Sequence, residues 1–162
     1  MTPLLISYFL YLGVGTIAGI AGGMLGIGGG TITVPALFII FKWIGLPQGY
    51  VMQLAIGTSL AAMVINTSSA ARAHHLKNAV LWNIVKRMLP GVAMGSLLGG
   101  LTAHYVSGVA LEIVFGIFAA ALGIHYLRPL NPQVKERALP GFPLLNFFSS
   151  IIAWISNILG IG

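Results

Sequence analysis

Long apolar runs alternate with short polar or glycine-rich breaks along most of the chain. The runs carry few charged residues, and several are long enough to cross a hydrocarbon core of about 30 Å as a helix. They occupy residues 4–21, 31–44, 51–71, 88–105 and 109–127, and another apolar run begins at residue 142. The pattern predicts an all-α integral membrane protein, a multi-span helical bundle with about five hydrophobic segments before residue 128.

A glycine cluster separates the first two runs. Residues 22–35 read GGMLGIGGGTITVP, with six glycines among the first nine residues. Because glycine inside a helix costs roughly 1 kcal/mol relative to alanine, we expect the helix to break here. The second run has about 14 residues and contains Pro35, which predicts a half-helix or re-entrant element as an alternative to a full crossing.

Basic residues concentrate in two segments between apolar runs, at residues 72–87 and 128–137. The positive-inside rule predicts that both are cytoplasmic loops and that the uncharged turn at Ser107–Gly108 faces outside. The runs before and after this turn are predicted to form a helical hairpin. The amino terminus lies outside if the second run crosses fully and inside if it is re-entrant, and the first 41 residues carry no charge that decides between them.

Composition supports the membrane assignment. Hydrophobic residues make up 57% of the chain and charged residues 6%, against about 25% charged in an average soluble domain. The net charge of +6 comes from short loops, so it indicates topology signals rather than a nucleic-acid-binding face. The absence of cysteine excludes disulfides and thiolate sites. The first lysine is Lys42, so we expect a retained span rather than a cleaved signal peptide at the amino terminus.

A short internal repeat links the two ends of the chain. Leu25-Gly26-Ile27-Gly28 recurs as Leu159-Gly160-Ile161-Gly162, and each copy follows an apolar run. If five crossings precede the second copy, the second repeat begins in the opposite orientation. Inverted repeats of this kind are typical of transporters, which place a substrate site between the repeats and build it from broken helices.

Three motifs together resemble the amino-terminal half of the sulfite exporter TauE/SafE family. They are GTIAGIAGGMLGIGGGTITVPAL, AIGTSLAAMVINTSSAARAHHLKNAV and LPGVAMGSLLGGLTAHYVS, and the resemblance covers about residues 10–127. It implies a permease with two related halves, often for sulfite, sulfonates or related small organic anions. The chain would then comprise a first repeat (1–127), a cytoplasmic linker (128–141) and the start of a second repeat (142–162).

Typical members of the family have a full second half, whereas this chain stops as that half begins. We therefore expect either a truncated product or half-length protomers that pair, as a homodimer or with a missing second half.

The glycine cluster is the first candidate site. Gly26, Gly28, Gly29 and Gly30, followed by a helix that starts near Thr31, would direct backbone N–H groups and a positive dipole end at an anion. The alternative is close helix packing, because Gly15, Gly19, Gly23, Gly26 and Gly30 also have small-xxx-small spacing. A nucleotide-binding loop is excluded, since no lysine follows the glycines.

Polar residues of the third run are further candidates. Asn66 lies near mid-run, where an amide requires a partner or a cavity, and its alternative role is to bond neighbouring backbone within the bundle. The resemblance implies that Thr58 and Ser59, in AIGTSL, line the pore. In the fourth run, Gly91, Gly95, Gly99 and Ala103 recur every four residues, which predicts a stripe for close helix contact.

At the cytoplasmic end of the third run, His75 and Lys77 are predicted to attract anions to the mouth of the pathway. The alternative is that they only set topology. Adjacent histidines cannot supply three zinc ligands, and the only acids are Glu112 and Glu136, so we expect no metal and no other cofactor.

These features predict a multi-pass permease of small anions in the plasma (bacterial inner) membrane, working by alternating access around the glycine-rich loop. Its partners would be a small anionic solute and the lipid bilayer, with no nucleic acid. The alternative function is a non-transporting half-permease or membrane scaffold. An enzyme is disfavoured, because two acids and four scattered histidines make no recognisable catalytic set.

Overall fold

The described part of the chain is all α-helical. The computed structural model describes residues 2–25, 29–127 and 141–161, and no strand occurs in these ranges. The helices are α1 (Thr2–Leu25), α2 (Gly30–Trp43), α3 (Val51–Leu76), α4 (Trp82–Tyr105), α5 (Gly108–Leu127) and α6 (Phe142–Leu159). This confirms the prediction of a helical membrane protein.

Three of these helices, α3, α5 and α6, are long and apolar enough to cross a membrane. Their exposed positions are largely apolar, as a lipid-facing surface requires; Ile117 and Ile152, for example, are both about two-thirds exposed. The described side chains of α1 form a shorter apolar stretch, Tyr8–Met24, and α2 is shorter still.

The break between α1 and α2 is narrower than the glycine cluster predicts. Helix α1 continues through Gly22 and Gly23 and ends at Leu25, and α2 begins at Gly30. The break thus falls within the glycine cluster, as predicted, but the first run, placed at about residues 4–21, continues as helix for one more turn. Glycine weakens a helix by only about 1 kcal/mol per residue, so the backbone hydrogen bonds of α1 hold through the first pair.

Helix α2 has the predicted short length. Its 14 residues extend about 21 Å, less than a hydrocarbon core of about 30 Å. Pro35 lies inside it. A left-handed Gly45, with φ of 83°, ends the helix, and the N–H of Leu46 donates to the carbonyl of Phe41 at 3.2 Å. This is a Schellman motif, which requires a residue that tolerates positive φ.

The predicted basic loop at 72–87 is mostly helical. Helix α3 runs to Leu76 and α4 starts at Trp82, so that Arg72, Lys86 and Arg87 lie on helices and only residues 77–81 connect them. Asn78, with φ of 54°, ends α3 in a second Schellman motif in which Ala79 N–H donates to His74 O at 3.0 Å. Long cationic side chains near either end of a membrane helix can reach the interface, so a basic segment does not have to be a loop.

The chain forms two compact units, residues 1–80 with 160–162 and residues 81–159. The first comprises α1, α2, α3 and the turn after α6. Its core is formed where α2 packs on α3, with Val34 and Leu37 buried from one helix and Met52, Ala55 and Ile56 from the other. The predicted domain boundaries at residues 127 and 141 were based on the internal repeat and not on helix packing. They stay a prediction. Residues 128–140 of the predicted linker lie outside the described ranges.

In the second unit, α4 packs along α6. The predicted glycine stripe is confirmed at Gly91, Gly95 and Gly99, because a Cβ at any of them would overlap α6, as at Gly99, where it would lie 2.7 Å from the carbonyl of Trp154. Side chains of α6 also bond α4. Asn146 Oδ1 accepts from Gly91 N–H at 2.9 Å, and Asn157 Nδ2 donates to Ser96 Oγ at 3.1 Å.

The predicted hairpin of the fourth and fifth runs is corrected by this packing. The turn is where it was expected, since α4 ends at Tyr105 and α5 begins at Gly108. Helix α4 nevertheless makes its extensive contact with α6, and the contacts of α5 with either helix are far smaller. The glycine stripe admits the backbone of α6 at close range, and asparagine side chains of α6 add hydrogen bonds to α4.

Two glycines of α4 provide a matched test of this contact. We expect Gly95→Leu to lower the yield of folded protein and Gly95→Ala to destabilise it by about 1–3 kcal/mol, because either side chain forces α6 away. A Cβ at Gly100 meets nothing within 4 Å, so Gly100→Ala should be neutral. Thermal unfolding in detergent compares the variants, and equal melting temperatures for Gly95→Ala and Gly100→Ala would contradict the packing role.

Candidate functional site

The first unit contains a cavity of about 410 Å³ beside the break between α1 and α2. It is walled by glycines of α1, the first residue before α2, one face of α3 and the turn after α6. The lining residues are Gly19, Gly22, Gly23, Gly29, Met63, Asn66, Thr67, Ser69, Ala70 and Ile161. Each of these described residues is uncharged.

Asn66 supplies the one carboxamide among the described residues that line this cavity, beside the hydroxyls of Thr67 and Ser69. It lies on the exposed side of α3, and its Nδ2 is 3.9 Å from the position that a Cβ on Gly29 would take. Within the described ranges, its carboxamide has no hydrogen-bond partner. It therefore presents two N–H donors and one acceptor to the cavity.

The hydroxyls of Thr67, which lines the cavity, and of Ser68, which does not, behave differently, whereas the lining hydroxyl of Ser69 has no hydrogen bond within the described ranges. Thr67 Oγ1 donates to Met63 O at 2.6 Å and Ser68 Oγ donates to Val64 O at 2.6 Å. The alternative role considered above, a polar side chain bonded to its own helix, thus holds for these two residues. It does not hold for Asn66.

Gly29 and Gly30 have separate roles at the start of α2. The carbonyl of Gly29 accepts the N–H of Ile32 at 3.1 Å, the N–H of Thr33 at 2.9 Å and the hydroxyl of Thr33 at 2.8 Å. The N–H groups of Ile32 and Thr33 therefore bond within the first turn of α2, while the predicted role of the glycine N–H groups as anion donors stays a prediction. Thr31 lies half-buried in the same turn.

Gly30 is buried against the turn that follows α6. A Cβ at this position would overlap Met63 and Gly160 and would lie 2.7 Å from Ile161 Cα. Gly15, Gly19 and Gly23 on α1, by contrast, have nothing within 4 Å of an added Cβ. The packing alternative is thus observed at Gly30 and not at these three positions within this chain. Gly26 and Gly28 lie outside the described residues.

Thr58 and Ser59 are on different surfaces. Thr58 Oγ1 donates to Leu54 O at 2.7 Å, and Thr58 borders a separate, mostly apolar cavity of about 380 Å³ with Tyr11 and Phe41. Ser59 is 0% exposed and its hydroxyl donates to Gly160 O at 3.0 Å. Neither residue lines the Asn66 cavity, and their role in a pore stays a prediction.

Helical geometry puts His75 and Lys77, the two residues predicted to attract anions to the mouth of the pathway, on different sides of α3. Successive residues of a helix are rotated by about 100°, which puts Lys77 about 20° and His75 about 180° from Asn66 around α3. Lys77 and, one turn nearer, His74 therefore continue the side of α3 that faces the cavity. His75 is exposed on the other side.

Several lining residues were not predicted from sequence. Met63 and Ala70 are three and four residues from Asn66, so helical periodicity centred on the one mid-run amide would have found them, and Thr67 is its neighbour in sequence. Ile161 is 95 residues away from Asn66 in sequence, and only the short repeat at the end of the chain pointed to it.

Comparison with known proteins gives one family. Residues 11–162 match the family model described as sulfite exporter TauE/SafE. A probable membrane transporter protein of Haemophilus influenzae is 34% identical over 110 residues, covering 68% of this chain and 40% of the relative. A probable membrane transporter protein of Methanocaldococcus jannaschii is 30% identical over 155 residues, covering 92% of this chain and 55% of the relative.

A third relative, the probable membrane transporter protein YunE of Bacillus subtilis, is 28% identical over 134 residues, covering 80% of this chain and 49% of the relative. The chain thus spans about half the length of the curated relatives it matches. No solved structure matches it.

The chain contains no cysteine, so single thiols can test whether the cavity holds water. We expect Asn66→Cys to react with a small maleimide on the order of tenfold faster than Met52→Cys, because thiol reactivity follows exposure. Met52 lies on the same helix and is 2% exposed. Equal labelling rates in intact membranes would show that the cavity is closed to water.

Proposed function

The chain belongs to the sulfite exporter TauE/SafE family, and on this premise we propose that it forms part of a permease that carries small anions such as sulfite, sulfonates or related sulfur and organic anions. The observation that carries the proposal is the unpaired Asn66 amide, which faces an uncharged cavity beside Gly29. A few polar groups in a largely apolar cavity are the usual construction of a small-molecule site.

The electrostatics of the first unit favour an anionic solute. Residues 1–80 contain no aspartate or glutamate, since the only acids of the chain are Glu112 and Glu136. Desolvating an anion is costly without compensating donors. The Asn66 N–H groups and the positive end of the α2 dipole compensate the lost hydration of the anion without a fixed cation. A solute that is held by neutral donors can be released on the other side of the membrane.

Lys77 and His74 are proposed to act at the cytoplasmic entrance. Both continue the cavity side of α3 toward its carboxyl end, where positive charge raises the local concentration of anions. His75, on the opposite side of α3, serves this purpose less well than the sequence suggested.

The full transport cycle is proposed to require a second half. Alternating access in repeat transporters moves one repeat against the other around a shared site. This chain spans about half the length of the relatives it matches, and we propose that a second, related half or a second copy of these helices completes the multi-pass permease in the plasma membrane. Such a protein moves its solute unchanged and is not an enzyme.

Transport measurements test the anion site directly. In proteoliposomes, we expect Asn66→Leu to reduce uptake of sulfite or methanesulfonate at least about tenfold, because the lost donors leave the anion uncompensated. Ser68→Ala is the control, since its hydroxyl lies outside this cavity and bonds its own helix. Loss of uptake in both variants, or in neither, would contradict the role of Asn66.

A second candidate function is a non-transporting half-permease or membrane scaffold, in which these helices pack in the bilayer without moving a solute. Crosslinking of the full chain in native membranes separates the two. A discrete dimer is expected for a rebuilt permease, whereas monomers that are rapidly degraded would support the scaffold or a degenerate product. Proteoliposomes in which the dimer moves none of the tested anions would also count against transport.

A further inference from the structure

The turn after α6 forms one wall of the Asn66 cavity. Ile161 lines the cavity, and Gly160 before it has a φ of 67°, a left-handed conformation that favours glycine. The turn belongs to the first unit and is closely packed there. A Cβ on Gly160 would lie 3.1 Å from both Ile56 Cα and Val34 Cγ2.

Ser59 is the polar side chain that reaches this turn. Its hydroxyl donates to the Gly160 carbonyl at 3.0 Å, between residues that are 101 positions apart. Ser59 is 0% exposed and shares the buried face of α3 with Ala55 and Ile56. A hydroxyl in such apolar surroundings is costly to bury unless it is hydrogen-bonded, so the bond fixes the Gly160 carbonyl in one position.

That carbonyl belongs to the peptide group that leads directly into Ile161. Holding it in place therefore fixes where the Ile161 side chain meets the cavity. On its other side, the turn packs directly against Gly30 of α2. Gly160 and Ile161 already occupy the space that a Cβ on Gly30 would need, so the turn cannot move closer to α2. The wall is thus confined by packing at Gly30 and oriented by a hydrogen bond from Ser59.

We propose that Ser59 is a positioning residue: it fastens the Gly160–Ile161 turn as a wall of the Asn66 cavity and thereby sets the affinity for the solute without contacting it. The effect on affinity rests on the proposed transport function. The fastening of the turn does not, and can be measured separately.

The neighbouring Thr58 is a matched control for Ser59. Its hydroxyl donates to Leu54 O of the same helix, so removing it leaves the turn bonded. An Ile161→Cys reporter, the single thiol in the chain, measures how often the turn detaches. We expect Ser59→Ala to raise the maleimide labelling rate of this thiol about fivefold, the ratio that one net hydrogen bond supports, and Thr58→Ala to leave it unchanged.

A second pair of variants covers the case in which Ser59→Ala does not fold. Ser59→Thr and Ser59→Val introduce side chains of the same shape, and only the former keeps the hydroxyl. We expect slow labelling with threonine and fast labelling with valine. Equal rates in this pair, or equal rates for Ser59→Ala and Thr58→Ala, would overturn the proposal.

Sulfite uptake into proteoliposomes distinguishes the proposal from its premise. We expect Ser59→Ala to raise KM about fivefold with Vmax largely retained, since the hydroxyl acts through the wall rather than on the anion. Uptake with an unchanged KM and unchanged labelling would refute the positioning role and leave the transport function standing. Altered labelling without anion uptake by any variant, including the unmodified chain, would support the fastened turn and refute the transport function.

Discussion

Close contact between main chains, which only glycine permits, is the constraint on which both units depend. At Gly91, Gly95 and Gly99 the backbone of α6 occupies the space that a side chain would need, and at Gly30 the turn after α6 does the same. In a membrane the hydrophobic effect does not drive helices together, so contact distance and hydrogen bonds determine packing. Glycine placement therefore determines the contact of α4 with α6 and the packing of the turn after α6 against α2.

The sequence predicted the helical class and several boundaries well because apolar runs and glycine breaks are local signals. The short α2 and the turn before Gly108 followed from run length alone. The partner of α4 did not, since short connections favour sequential neighbours and the polar face of α6 that fits the glycine stripe is about 50 residues distant. The end of α3 and the start of α4 were missed because Arg72, Lys86 and Arg87 were interpreted as loop residues although they lie on these helices.

For the candidate site, the sequence identified Asn66 and the glycine segment but could not separate residues that line a cavity from residues that shape it. Ser59 and Thr58 are adjacent in AIGTSL, yet a rotation of about 100° puts one in the core and the other on a different surface. Whether a hydroxyl bonds its own helix or a distant carbonyl depends on tertiary contact. That information is absent from a motif.

The bond between Ser59 and Gly160 also has a consequence for biosynthesis. The two residues are separated by 101 positions, and α4, α5 and α6 are all made in the interval. Helices α1 to α3 therefore leave the ribosome well before the residues that complete their packing exist. Contacts of such long sequence separation form late, so the first unit, although translated first, is finished last.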